Sequence, residues 1–463
     1  MGAFFFVAFV AGIIAVTLWA SEKELRETND AWEQAAAGLG AKFKRAKLAE
    51  QRSIEGKVRD CTIEVSEVPQ GKGVKTRFEV LCRGIPTGLA LRGEGGAAGL
   101  KKLFTGEDVQ LGDPPFDAMV NVTGPEDTAL AALGHQARRA LYSLCSRESS
   151  AKVACGTVTV EKPGKIRSGP ELARLAEELI ELAHLLRVTS VSEALAWNAR
   201  MDAVAGSRLR NLTILARDYP GSAALAEAAA SALGDSDARV KLAAARAIGG
   251  DRERDVLESL IGRSEGGPEI RVAALERLVE TRPYQEVARH VALVLRSHEP
   301  KELRAAIVAA ASGRDASAVE RLCTIAESKA PEVAAAAAAS LGEIGDPRAQ
   351  ATLVKLLSYE SAEMFAVDVR QRAAVALGRL GTIEAVEPLL PLAHAVLPGA
   401  VRDAARDAVR AIQSRLGEAG AGRLSVVGTP DAAAGLSLVE EVGAGPSQEE
   451  PAGAVGEGER GKA

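Results

Sequence analysis

DVRQRAAVALGRLGTIEAVEPLLPLA (residues 368–393) and EVAAAAAASLGEIGDPRAQATLVKLL (residues 332–357) decide the fold. Each opens on an acidic and then an apolar residue, runs through an alanine-rich stretch with helical spacing, breaks at a glycine and resumes with leucines. Small alanines allow close helix approach, but neither stretch can hide its apolar stripe alone. The opening triplet recurs at Asp237-Ala238-Arg239, Glu269-Ile270-Arg271, Glu302-Leu303-Arg304, Glu332-Val333-Ala334, Asp368-Val369-Arg370 and Ala400-Val401-Arg402. Successive offsets of 32, 33, 30, 36 and 32 residues give the period of a repeated helix pair.

Residues 196–417 are therefore predicted to form an α-helical solenoid, with Gly249, Gly345 and Gly381 turning the chain between helices. These segments resemble HEAT repeats, in particular the short bacterial type similar to the repeats of phycobilisome lyases. The copies at Glu269 and Glu302 match that pattern loosely. The resemblance covers roughly 220 residues and implies the fold, and scarcely any activity. Five of the six triplets keep an arginine, namely Arg239, Arg271, Arg304, Arg370 and Arg402. Such a ladder could grip a partner; the structural reading is preferred, in which the acid favours a helix N-terminus and the arginine pairs with a neighbouring repeat.

At the other end, Ala3–Ala20 (AFFFVAFVAGIIAVTLWA) carries no charge. Eighteen helical residues span roughly 27 Å, enough for a hydrocarbon core. No Lys or Arg precedes the run, and Leu18 suits a cleavage site poorly, so residues 1–20 are expected to be an uncleaved transmembrane anchor. Lys23, Arg26, Lys42, Lys44, Arg45 and Lys47 follow it, which places the body on the cytoplasmic side, with the periplasmic side as the alternative.

Residues 21–195 read as a smaller α+β domain of no recognised family. NDAWEQAAAGLGAKF is predicted as a short helix capped at Asn29 or Asp30, with Trp32, Ala36 and Leu39 on one face. CTIEVSEV and VKTRFEVLC alternate like a half-buried hairpin turning near Gly71 and Lys72, and FDAMVNVTG and KVACGTVTVE read as strands. DTALAALGHQARRALYSLC and PELARLAEELIELAHLLRV carry helical spacing. GEGGAAG (residues 93–99) and GKGVKT (residues 71–76) lack the spacing of nucleotide-binding loops and are read as loop and turn. LGDPPFD (residues 111–117) is read as a structural corner.

There are five cysteines, Cys61, Cys82, Cys145, Cys155 and Cys323, an odd number that suits a reducing compartment. Cys61 and Cys82 would face each other across a symmetric hairpin, but strand cysteines are usually small buried apolar residues, and that reading is taken over a bridge. His135 and His184 fall in amphipathic helices, and no cysteine or histidine is near enough in sequence to suggest a metal site. Residues 418–463, rich in Gly, Ala, Pro, Ser and Glu, are expected to be disordered.

A net charge of -5 and 3% aromatics offer nucleic acid no basic, stacking surface. No HExxH, CxxC, GxSxG or phosphate loop occurs, and only His298-Glu299 provides a His-Glu pair where an iron hydroxylase of this type would need several. The expectation is a membrane-anchored scaffold that binds other proteins through the solenoid, without cofactor or catalysis. A ligand or envelope sensor built on the α+β domain is the alternative, and a lyase-type enzyme stands behind it.

Overall fold

The computed structural model describes residues 2–419, apart from 46–50, 72, 94–107, 329, 361–362 and 396–398, together with 425–426 and 436–437. The chain divides into two compact units, Met1–Thr281 and Arg282–Ala463.

The first unit opens with one helix, α1 (Gly2–Leu39), where the sequence pattern suggests a span followed by a separate short helix. No glycine or proline falls between Gly12 and Gly38, so nothing interrupts the ladder, and Asn29 is a buried mid-helix residue and no cap. Among the described residues no helix is long and apolar enough to cross a membrane. The side chains of residues 2–15, 17 and 18, on which the anchor expectation rests, lie outside the described residues. The far end of α1 buries Trp32, Ala35, Ala36 and Leu39, and the Trp32 Nε1–H donates to the Ile166 carbonyl at 2.9 Å.

That end packs beside an eight-stranded antiparallel sheet of β1 (Lys42–Lys44), β2 (Ser53–Val58), β3 (Cys61–Gln70), β4 (Gly73–Cys82), β5 (Ala90–Gly93), β6 (Val120–Thr123), β7 (Lys152–Ala154) and β8 (Thr157–Pro163). Their order is β1-β2-β3-β4-β8-β7-β5-β6. Alternation decides the faces: Ile63, Val65, Phe78 and Val80 point into the core, whereas Thr62, Glu64 and Leu81 face outward. Cys61 stands opposite Cys82, and the two form a disulfide, correcting the reading of two separate thiols. Register is the reason. Their Cα atoms lie 4.3 Å apart on the buried face, the spacing of a narrow antiparallel pair.

Local turns explain the other departures. FDAMVNVTG is not one strand, because Pro114 and Pro115 start the short helix α2 (Pro114–Met119) before β6. KVACGTVTVE is a hairpin, β7 and β8, reversed at Cys155 and Gly156, whose φ values are 51° and 76°. DTALAALGHQARRALYSLC splits into α3 (Glu126–Ala132) and α4 (His135–Arg147), while PELARLAEELIELAHLLRV forms α5 (Gly169–Leu185) as predicted. LGDPPFD is a corner: the Asp117 carboxylate accepts the N–H groups of Leu111, Gly112 and Asp113 at 3.0, 3.2 and 3.1 Å. GEGGAAG lies outside the described residues beyond Gly93.

Paired helices complete the first unit: α6 (Val191–Met201), α7 (Ala205–Asp218), α8 (Ala223–Ala232), α9 (Ala238–Ile248), α10 (Gly250–Arg263) and α11 (Pro268–Thr281). They are fastened to the corner by Arg138 of α4, wholly buried, which donates to Asp113 at 2.8 Å, to both oxygens of Asp202 at 2.8 and 2.9 Å, and to the Leu133 carbonyl at 2.9 Å. Beside this knot a Cβ on Gly206 would sit 2.2 Å from the Gly112 carbonyl oxygen, so only glycine lets the two backbones touch.

The second unit holds α12 (Tyr284–Val294), α13 (Pro300–Ser312), α14 (Val319–Ala326), α15 (Pro331–Ile344), α16 (Gln350–Leu356), α17 (Glu363–Leu380), α18 (Val386–Ala393) and α19 (Ala400–Ala419). The first helices α13, α15, α17 and α19 lie side by side, and α14, α16 and α18 each pack on the first helix that follows. This is the helical solenoid that the repeat period predicts. The turns inside the pairs also stack: Arg348 Nη2 donates to the Ala316 carbonyl at 2.6 Å, and Gln350 exchanges hydrogen bonds of 3.0 and 2.8 Å with Thr382. Gly249 and Gly345 adopt the positive φ expected of them; Gly381 does not, and is needed because a Cβ there would lie 2.5 Å from the Leu377 carbonyl oxygen. Beyond residue 419 only the pairing of Ser425–Val426 with Leu436–Ser437 is described, so the expected disordered tail otherwise lies outside the described residues.

Candidate interaction surface

The five arginines of the triplets do not form one ladder. Arg239 folds back on its own N-cap, bonding Asp237 at 2.7 Å, and lines an apolar cleft of about 560 Å³ with Arg246, Leu212, Leu225, Leu242 and Ile270. Arg271 and Arg370 turn inward and donate from Nε at 2.9 and 2.8 Å to the carbonyls of Ile261, in the last turn of the preceding helix, and Tyr359, just beyond the end of the preceding helix. Arg304 lies exposed and reaches Glu332 of the next first helix at 3.6 Å. Among the described residues Arg402 pairs with its neighbour Asp403, and the inward clamp is made one turn later by Arg406, which donates to the Ala393 carbonyl at 2.7 Å. Sequence reading missed Arg406 because Ala400 aligns with the acidic position while the last helix is shifted by a turn.

Two of the first helices, α13 and α17, show valines to solvent in a strip of mixed charges. Val308 is 62% exposed, Val367 44% and Val375 42%. Residues 367, 371, 375 and 379 share one line along α17 through i,i+4 spacing, and 304 and 308 share one along α13. The Arg304–Glu332 pair puts α13 and α15 on the same strip. Between α15 and α17 the strip opens a cleft of about 330 Å³ lined by Glu343, Asp368, Gln371, Arg372, Val375 and Arg379. Asp368 and Arg372 neutralise each other at 2.9 Å, which leaves Val375 flanked by the opposite charges of Glu343 and Arg379. Exposed valine at these positions has no folding reason, since Ala373, Ala374 and Leu377 already supply the buried face. The signal was legible as valine interrupting alanine in RAAVALGRLG.

Tyrosines hold the turns. Tyr284 donates to Asp315, the cap of the following turn, at 2.8 Å, and burial together with that carboxylate holds its phenol above the usual range. Tyr219 makes the same bond to Asp127 at 2.7 Å, and the hydrogen bond to that carboxylate pushes it up to about 12. The three cysteines outside the bridge differ in access: in the first unit Cys155 is exposed and burial pushes the Cys145 thiol up to about 11, and in the second unit burial raises Cys323.

The sheet interior is filled by Ile54, Ile63, Val65, Phe78, Val80, Val158 and Val160, all essentially inaccessible. Among the described residues of the first unit, one surface cleft lies beside the exposed Trp197 and Met201. A family model for HEAT repeats matches residues 288–366 and again residues 319–410. No curated protein matches the chain.

Proposed function

Because the chain is a HEAT-repeat protein over residues 288–410, we propose that it is a protein-interaction scaffold whose partners dock on the first-helix strip of the second unit. The exposed valines support this most directly: apolar side chains on α13 and α17 stand among charges of both signs, as an interface centre is ringed by its rim. The filled sheet interior favours a scaffold over a small-ligand sensor. We assign no catalytic step, no cofactor and no nucleic-acid partner.

Full-length protein carrying Val308→Asp and Val375→Asp should retain its helical content, because both positions are exposed, and should lose most of the proteins captured by the wild type. Capture that is unchanged in the double variant removes the strip from the account.

We also propose that residues 3–20 tether the protein to the membrane with its body on the cytoplasmic side. Exposed Trp19 at the end of the apolar run, with the Lys23 ammonium 5.6 Å from its ring, has the aromatic and cationic character of a helix leaving the interface. Cys155 reports the side. An impermeant maleimide should leave it unlabelled in sealed right-side-out vesicles and label it once they are opened. Labelling in sealed vesicles would put the body on the other face, and recovery in the soluble fraction would remove the tether.

A further inference from the structure

The Cys61–Cys82 bridge has a third member. His184 of α5 brings its Nε2 to 3.8 Å from Cys61 Sγ, and the three potential ligand atoms lie within 4.8 Å of one another. Among the described residues no other group of three or more His, Cys, Asp or Glu side chains meets so closely. The histidine is aimed by the fold: α5 packs on β3 and β4, and its end is tied to the end of β4 by the Val188 N–H donating to the Gly84 carbonyl at 2.9 Å. Both cysteines are buried and His184 is half-buried, so the histidine side is the way in from solvent.

We infer that Cys61, Cys82 and His184 form a redox-gated zinc site, closed while the cysteines are bridged and able to take one Zn²⁺ once they are reduced. Two thiolates and an imidazole are a zinc ligand set with a fourth position for water. With Zn–S near 2.3 Å and Zn–N near 2.0–2.1 Å, a tetrahedron has an S···N edge of about 3.6 Å, close to the spacing already present, and an S···S edge of about 3.8 Å. Strand pairing keeps the two cysteines opposite each other when the bridge opens, so side-chain rotation alone supplies the wider S···S edge. In the reduction a dithiol gives two electrons and two protons to the S–S bond and becomes a disulfide itself. On binding, the two thiols release their protons to solvent as the two S–Zn bonds form.

Arg187 opposes this. Its Nη1, always a donor, lies 3.4 Å from His184 Nδ1, which keeps the imidazole proton on Nε2. Zinc binding through Nε2 requires the proton to move to Nδ1 and the exposed Arg187 side chain to swing away. Arg187→Ala should therefore bind zinc more tightly than wild type, which a merely structural disulfide would not produce.

The test uses full-length protein. Denatured without reductant it should titrate as three free thiols, and as five after reduction. Native protein reduced and freed of reductant is then titrated with Zn²⁺ against a chromophoric chelator, and with Cd²⁺ to read thiolate charge-transfer absorbance. Reduced wild type should bind about one equivalent with that absorbance, and the bridged form none. His184→Ala, at a half-buried position, should lose affinity at least about 10-fold, the loss that even outer-shell partners cause. Reduced wild type that binds no more zinc than Cys61→Ser, or His184→Ala and Arg187→Ala that both bind as wild type does, overturns the site.

Discussion

Arg138→Ala should cost the first unit about 3–5 kcal/mol, the usual penalty for removing one partner of a buried ion cluster. Burial works against the Arg138 cation, but its hydrogen bonds and the charges of Asp202 and Asp113 outweigh that and hold it protonated. Take the guanidinium away and the Asp202 carboxylate, with no exposed surface, loses its ion-pair partner beside Asp113. The Leu133 carbonyl loses its donor as well. The damage should spread to α6 and α7, because Asp202 also accepts the Val204 N–H at 3.0 Å, and its own carbonyl takes a bond from Arg208. Urea unfolding followed by circular dichroism measures the loss. Arg138→Met with Asp202→Asn should recover part of it, since that pair refills the volume and removes one buried charge. A value for Arg138→Ala within about 1 kcal/mol of wild type would mean that the cluster is not what fastens the corner to these helices.

How much of this was legible in the sequence depends on distance along the chain. The repeat period, the Cys61-to-Cys82 hairpin register and the α1 face of Trp32, Ala36 and Leu39 follow from local patterns, and the structure has them. Helix ends were harder. Arg402 and Arg406 sit one turn apart, so the triplet alignment chose the residue that stays at the surface, and the carbonyl of Ala393 that selects between them lies in another helix. Gly134 breaks what reads as a single helix, in a place where a Cβ would sit 2.6 Å from Asn198 Oδ1, a residue far along the chain. The same holds for chemistry. His184 is separated by 123 residues from Cys61, and Arg138 by 64 from Asp202, and no spacing rule connects either pair. Each depends on how a helix end is pinned, at Gly84 in the first case and at the Asp117 corner in the second.

Gly342→Leu should destabilise the second unit by at least about 3 kcal/mol, the upper end of ordinary overpacking. Glycine in the middle of a helix normally costs about 1 kcal/mol against alanine, so its presence in α15 needs a reason. A Cβ there would stand 2.7 Å from both Cα and Cβ of Ala376 on α17, and one on Gly378 would stand 3.0 Å from Cα of Ala408 on α19. The neighbours met are backbone and the shortest of side chains, which cannot rotate away, so a leucine must push the two helices apart along a seam of buried alanines. The opposite sign is expected at Gly262 of α10, where a Cβ meets nothing within 4 Å. There Gly262→Ala should stabilise by up to about 1 kcal/mol. Thermal and urea unfolding of the two variants beside wild type decides the matter. If Gly342→Leu keeps the wild-type midpoint, the first helices are not held at the separation that glycine permits, and the strip of valines they carry would not have a fixed spacing on which a partner could be read.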